Sequence, residues 1–429
     1  MTTKLLIFGI TGDLSTRKLL PALSEIIKTG EYDDIKIIGV SRREVDIAEL
    51  FRASANAQAL ESRTEVFSMD LARGSDYDRL REYVNLTSDE QLIVYLSVPP
   101  SAASQIVDFM GEAGMNTPNT KLLFEKPFGV DLTSAEEMIA RSARYYNEEQ
   151  IYRIDHYLAK EMSQNIVAFR EGNALFTHLW NNQAIEKIEI IATEAIGIEG
   201  RAGFYEQTGA LRDVLQGHLM QLLALILMDI PAELDWDTLP ELRLEALRVL
   251  MSADPARAVR GQYDTYQTEV GNLGSLTETF AAVELASAAS QWKGVPLRLI
   301  TGKALDRKTT EIRIHFRKRH TMQSNCLTFY IQPNEGVAIE LFTKKPGYER
   351  EFESRQLAFT YPEDASLPDA YEQVIVDAIR SRKSLFTSSE EVLESWRVLQ
   401  PILNAWSMES QPPMQYIAGS ATHAISSVE

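Results

Sequence analysis

The sequence of 429 residues has a single cysteine, Cys326, which excludes an internal disulfide framework and any paired-cysteine metal or redox motif, and fits a reducing compartment. Long hydrophobic runs are missing too. The longest, Leu219 to Ile230, is interrupted by Gln221 and Asp229 and falls short of the roughly 20 residues a bilayer span requires. The N-terminal MTTKLLIFGITGD holds one lysine and a five-residue apolar run, too short for the core of a secretion signal. Positive charge is scarce: 43 Lys and Arg stand against 61 Asp and Glu, a net charge of −18, which repels phosphodiester backbones. Neither a nucleic-acid nor a membrane partner is expected, and the expected location is the cytoplasm.

What is present is ordinary for a globular protein. Hydrophobic residues make up 45% and charged residues 24%, which excludes wholesale disorder, and the length suits two or three domains. Along the first 155 residues, apolar runs alternate with helical spacing. Strands are expected at 4–8, 36–40, 92–98 and 121–124, and helices at 17–28, 45–59, 101–110 and 133–146. Such alternation implies a parallel sheet covered on both faces. Beyond it, helical stretches at 160–170, 208–228 and 239–251 precede strand-like runs at 279–285, 297–301, 310–316, 326–331 and 336–342, a succession that suggests a mainly antiparallel sheet. Helices at 369–381 and 389–406 follow, and the polar tail from Gln411 is expected to fray. The expectation is a dinucleotide-binding α/β domain over 1–155 and an α+β domain over 156–429.

Four segments carry candidate chemistry. Gly9, Thr11, Gly12, Asp13 and Leu14 lie in the turn between the first strand and first helix, where a diphosphate can approach backbone N–H groups. A tight turn capped by Asp13 has the same spacing. Arg42 and Arg43 follow the second strand, where an acidic residue would hold a ribose hydroxyl and an arginine a 2′-phosphate. A solvated basic turn beside Glu44 is the other reading. In Arg153-Ile154-Asp155-His156-Tyr157-Leu158-Ala159-Lys160, a helix would bring His156 and Lys160 to one face, suited to a phosphate monoester. No second histidine or cysteine stands at ligand spacing, so no metal site is expected. His218 lies in an otherwise apolar helix; at 3.6 residues per turn Arg212, Asp213, Gln216, Gly217, His218 and Gln221 gather on one side. Such an imidazole is either a satisfied core residue or a general base. Gly217, costing about 1 kcal/mol in a helix interior, makes sense where a ligand must come close.

Together these segments resemble the glucose-6-phosphate dehydrogenase family over most of the chain. The resemblance rests on Gly9 to Leu14, Glu125-Lys126-Pro127-Phe128-Gly129, Arg153 to Glu161, Glu199 to Gly203, Arg212 to Leu219, Thr301 to Leu305, Gln332 to Glu335 and Leu367 to Glu372. It implies oxidation of glucose 6-phosphate at C1 with NADP as acceptor, NAD being a possible second cofactor. It assigns His218 as general base, Asp155 as the carboxylate orienting it, and Lys126 to a place between sugar and nicotinamide, with Pro127 in a cis bond. His156, Tyr157 and Lys160 would hold the 6-phosphate, Glu194 and Asp213 the sugar hydroxyls, and Lys303 and Lys308 further substrate contacts. Gly9 to Thr16 would embrace the diphosphate, with Lys18 and Arg42 on the adenosine phosphate. A homodimer or dimer of dimers built on the large sheet is the implied assembly. The sequence departs from the family at Ala159, usually glycine and so expected to crowd the phosphate turn slightly, and at Gly217, usually asparagine. Two other readings stand beside this one: an enzyme of the glucose–fructose oxidoreductase type, and a catalytically silent assembly or sensor homologue.

Overall fold

A computed structural model describes residues 2–51, 57–318, 324–362, 365 and 367–422. The chain forms two compact units. The first takes Met1–Ala159 with two later returns, Trp236–Pro240 and Pro368–Val392; the second takes Lys160–Asp235, Glu241–Leu367 and Leu393–Glu429. The sequence division at residue 155 did not foresee those returns.

In the first unit, strands β1 (Thr2–Phe8), β2 (Ile35–Ser41), β3 (Thr64–Ser68), β4 (Glu90–Leu96), β5 (Thr120–Phe124) and β6 (Ile151–Ile154) pair in the order β6-β5-β4-β1-β2-β3. All of these pairs are parallel; only the short strand Phe386–Thr387 adds to β6 antiparallel. β1 is buried at every position after Thr2, as expected of a strand covered on both faces. On one face Leu5, Ile7, Ile93, Tyr95 and Leu123 pack with Leu20, Leu23 and Ile27 of helix Leu20–Lys28 and with Val374, Ile375 and Ala378 of the returning helix Ala370–Ile379. The other face carries a ring cluster in which Tyr77 stacks on Phe8 and tilts against Phe109. Lys121 ties the return in place by donating to Ala378 O (2.6 Å) and Ser381 Oγ (2.7 Å).

The second unit is built on β7 (Ile185–Thr193), β8 (Ala258–Tyr263), β9 (Phe280–Leu285), β10 (Leu297–Gly302), β11 (Thr309–Phe316), β12 (Cys326–Gln332), β13 (Gly336–Lys344) and β14 (Phe352–Thr360), in the order β14-β13-β12-β11-β7-β10-β9-β8, closed by Met414–Tyr416. Neighbours are antiparallel except β7 with β10 and β8 with Met414–Tyr416. Helix Glu161–Gly172 packs its Phe169 edge-on to Phe329 of β12, centroids 5.2 Å apart. The opposite face of β11–β14 presents Arg313, His315, Cys326, Thr328, Tyr330, Glu340 and Gln356 to an open basin of about 640 Å³. At the sheet edge β14 is exposed at every position but Glu353, including Phe352, Leu357 and Phe359.

Several expectations need correction. The helix expected over 45–59 is seen as Ile47–Phe51 and Ala57–Glu61, with 52–56 outside the described residues. Segment 153–160 is not helical: β6 ends at Ile154, residues 156–159 turn, and the helix begins only at Glu161. The tail does not fray at Gln411, because Met414–Tyr416 pairs with β8 and Ser420 bridges to Leu305. The strands β3, β6, β7, β8 and β14 were not foreseen, nor was helix Gly74–Val84.

The helix bearing His218 begins close to where it was expected, just after a break at Gly209 within the longer helical run Ala202–Leu227. Ala202–Leu227 is 26 residues long and apolar enough by composition to cross a membrane, yet 78% of its most apolar window is buried within the protein, as in a core helix. Its last carbonyls, which no helical N–H can reach, are taken by side chains. Arg170 donates to Leu225 O and Met228 O (both 2.6 Å), Trp180 Nε1 to Ile226 O (2.7 Å) and Trp292 Nε1 to Leu227 O (3.0 Å).

Candidate active site

The glycine turn of the first unit is built for close backbone approach. Gly9 has φ +81°, and a Cβ there would lie 2.3 Å from Ser97 O, so no other residue fits without distortion. Gly12 N donates to Gly9 O (2.9 Å), and Ser15 Oγ donates to the same carbonyl (2.9 Å). The following turn, Ser15–Leu19, is wound in the wide π form and runs into helix Leu20–Lys28. Thr11 and Asp13 are exposed, and Leu14 begins the helical backbone. Asp13 does not cap through its side chain; its carboxylate meets Arg17 at 3.5 Å.

Beside this turn lies a groove of about 630 Å³ lined by Thr11, Thr16, Ser41, Arg43, Glu44 and Asp46. Arg43 borders it, whereas Arg42 is exposed at the turn next to it. Lys18 is engaged elsewhere, 3.3 Å from Asp369 Oδ2. The other oxygen of Asp369 caps helix Ala370–Ile379 by accepting from Tyr371 N (2.9 Å).

At the carboxyl ends of β5 and β6 stand the other first-unit candidates. Lys126 precedes Pro127 in a cis peptide. Asp155, 1% exposed, follows β6 directly and folds its own turn: its Oδ1 accepts from Tyr157 N (2.9 Å) and its carbonyl from Leu158 N (3.0 Å). The ring of His156 lies nearly parallel to that of Tyr371, centroids 6.5 Å apart. Ala159 is fully buried and absent from the residues of positive φ, so its methyl group joins the core and does not crowd the turn.

Glu125, in the same Glu-Lys-Pro segment, accepts a hydrogen bond from the buried hydroxyl of Tyr95. Burial pushes its carboxyl up to about 7, with Asp155 pushing the same way, while Tyr95 and Lys126 oppose the rise. The sequence reading gave Glu125 no role.

In the second unit, parallel pairing does the positioning. Thr193 of β7 stands opposite Gly302 of β10, so the next residues, Glu194 and Lys303, emerge side by side. Lys303, 3% exposed, forms an ion pair with Glu194, reaches within 3.8 Å of Asp213, and lies 5.4 Å from the ring centroid of Tyr205. Glu194, Asp213 and Lys303, drawn from three distant stretches of sequence, thus form one cluster. Lys308 is exposed in the turn before β11. Lys160 precedes helix Glu161–Gly172 in extended backbone, its carbonyl accepting from Ser163 N (3.0 Å).

His218 is 5% exposed on the segment Leu211–Leu219, which is wound in the wide π form. π bonding runs from i to i+5, so this segment winds more slowly than the 3.6-residue spacing on which its polar side was drawn. Gln216, His218 and Gln221 are buried, whereas Arg212, Asp213 and Gly217 are part-exposed. Gln221 Oε1 is buried without a hydrogen-bond partner. The break that starts this segment is at Gly209, φ 67° and ψ 175°. A Cβ there would lie 2.4 Å from Glu278 Oε1, and that oxygen accepts from Leu211 N (3.0 Å). Glu278 thus anchors the start of the segment carrying Asp213 and His218. It was missed because a lone glutamate in a strand-like run, Thr277-Glu278-Thr279, gives no sign of its distant partner.

Comparison with known proteins identifies the family. Residues 6–165 match the model of the glucose-6-phosphate dehydrogenase NAD-binding domain, and residues 167–427 that of the glucose-6-phosphate dehydrogenase C-terminal domain. The glucose-6-phosphate 1-dehydrogenase of Dickeya dadantii is 33% identical, covering 97% of this chain and 94% of its own. That of Chlamydia muridarum is 35% identical, covering 97% and 92%. Among solved structures, a glucose-6-phosphate dehydrogenase in complex with its substrate glucose 6-phosphate superposes with a TM-score of 0.92 at 30% identity, covering 98% of this chain and 95% of its own. The Mycobacterium avium enzyme gives 0.87 at 30% identity, covering 98% and 94%. From its first strand to its C-terminal segment, the chain belongs to the glucose-6-phosphate dehydrogenase family.

Proposed function

We propose that this protein oxidises glucose 6-phosphate at C1 to the 6-phosphogluconolactone, with NADP as acceptor. The observation that carries the reading is the cluster of Lys303, Glu194 and Asp213: a cation and a carboxylate at paired strand ends, with a second carboxylate from the segment Leu211–Leu219, suit the hydroxyls of a sugar better than an apolar ligand. Family membership over almost the whole chain supports the reaction.

The residues present fit a dinucleotide. Gly9 lets the first strand-to-helix turn close tightly against Ser97, and the groove beside that turn offers Thr11, Thr16 and Arg43. Gly9, Thr11, Gly12, Asp13 and Leu14 hold the diphosphate through backbone groups, and Arg42, with Lys18, meets the adenosine phosphate. NADP, when bound, supplies the ring that accepts a hydride.

His156, Tyr157 and Lys160 anchor the 6-phosphate, so that binding energy far from C1 orients the reacting end. Glu194, Asp213, Lys303 and Lys308 hold the sugar, and Lys126 meets it from the cofactor side. His218 takes the proton of the C1 hydroxyl, which becomes acidic as the hydride departs, and Asp155 orients the imidazole and stabilises it once charged. The large sheet supports a homodimer: β14 leaves an edge open to pairing and the face of β11–β14 is open. The single cysteine fits the cytoplasm.

The test is an absorbance assay of reduced nicotinamide with glucose 6-phosphate, glucose and glucosamine 6-phosphate, each against NADP and NAD. Turnover with glucose 6-phosphate and NADP is expected. Equal turnover of unphosphorylated glucose would favour the glucose–fructose oxidoreductase type, and silence with every pair would leave an assembly or sensor role.

A further inference from the structure

Behind the Asp155 turn, wholly inside the first unit, the structure gathers groups that the proposed chemistry does not use. Glu125 stands at the end of β5, the strand that pairs with β6 where β6 runs into Asp155. Its carboxylate accepts from the hydroxyl of Tyr95, which is fully buried in β4. Tyr371, on the returning helix Ala370–Ile379, interacts with it electrostatically and also stacks on His156. The charged and titratable groups acting on Glu125 from the surrounding elements are thus Tyr95 of β4, Lys126 beside it, Asp155 after β6 and Tyr371 of the returning helix.

We propose that Glu125 is a proton-bearing positioning residue, which by gaining or losing its proton beside Asp155 sets the field in which the Asp155–His218 pair works and so the acid limb of the reaction. The proposal rests on the roles given above to Asp155 and His218. Glu125 and Asp155 follow the paired strands β5 and β6, and neighbouring buried carboxylates do not ionise independently. Asp155 is committed to its own turn through Tyr157 N. Glu125, with burial against it, holds its proton until about pH 7.

The sign follows. As pH rises through that region Glu125 becomes anionic, and the added negative charge favours the protonated imidazole. The base then needs a higher pH to become neutral, so the acid limb of the wild-type profile is drawn out upward. With a neutral residue at 125 this does not happen.

The experiment is the pH profile of kcat/KM for glucose 6-phosphate in the wild type, Glu125→Gln, Tyr95→Phe and Asp155→Asn, each normalised to its own plateau. Glu125→Gln should move the acid limb down by about half a pH unit, giving roughly threefold more relative activity well below the midpoint. Tyr95→Phe removes a donor that stabilises the anion, keeps Glu125 protonated to higher pH, and should move the limb the same way by less. It tests the proposal even if Glu125→Gln does not fold. Limbs that superimpose on the wild type, while Asp155→Asn loses turnover, overturn the role of Glu125 and leave the Asp155–His218 pair standing. Wild-type turnover in Asp155→Asn overturns both. A purely structural Glu125 would lower thermal stability without moving the normalised limb.

Discussion

The two units place chemistry by different physical means. In the first, a parallel sheet buried on both faces ends in short turns, and two of the candidate residues on those turns meet backbone: Gly9 the nearby Ser97 carbonyl, Asp155 the N–H of Tyr157. In the second, a mainly antiparallel sheet presents charged side chains that hold one another. Lys303 meets Glu194 and Asp213, while Glu278 anchors the turn at Gly209. Backbone-held sites are written locally in the sequence. Sites held by side chains depend on partners far along the chain, and fail as a group when one member is lost.

Four substitutions sharpen this contrast, the largest expected effect first. His218→Asn should lower kcat by about 10² or more with KM for glucose 6-phosphate nearly unchanged, since a general base acts in the transition state and not in binding. Steady-state kinetics reads this directly. Lys303→Met leaves Glu194 and Asp213 without their cation. Because Lys303 is buried while Glu194 is more than a third exposed, we expect a fall in stability of about 1–3 kcal/mol, below the full cost of breaking a wholly buried pair. The same change should lower kcat/KM by about tenfold, mostly through KM. Thermal unfolding and kinetics on one preparation separate the two losses. Arg42→Ala and Arg43→Ala should each weaken NADP about three- to tenfold while leaving NAD nearly unaffected, the smaller effect expected where a solvated cation meets a phosphate. An unchanged cofactor ratio in both would remove the basic turn from the adenosine phosphate.

The same contrast explains what the sequence disclosed. β1, β2, β4 and β5 were legible because strands covered on both faces read as unbroken apolar runs. β14 was not: Phe352–Thr360 is exposed nearly throughout and mixes charges with aromatics, so it lacks the period of a half-buried strand. Whether 156–159 is helix or turn stayed open in the sequence, because spacing of four is compatible with both, and the Asp155 carboxylate bonded to Tyr157 N decides between them. The polar side of the His218 segment was drawn on the ordinary helical period, which the π winding alters. Glu194 and Lys303 were reached only through the family resemblance, and Asp213 apart from it only as one of the polar residues of the His218 helix. Nothing local to any of them shows that parallel pairing of β7 with β10 brings two of them together. Glu278 and Glu125 were passed over for the same reason, since the partners of each lie on other elements.

The proposed reading requires Asp155 and His218 to act as a single base. A double-mutant cycle tests it most directly, with kcat measured for Asp155→Asn, His218→Asn and the two combined. If the residues act as a unit, the combined variant should be no slower than His218→Asn alone, within about twofold. Losses that multiply, so that the combined variant falls by the product of the two single effects, would contradict it.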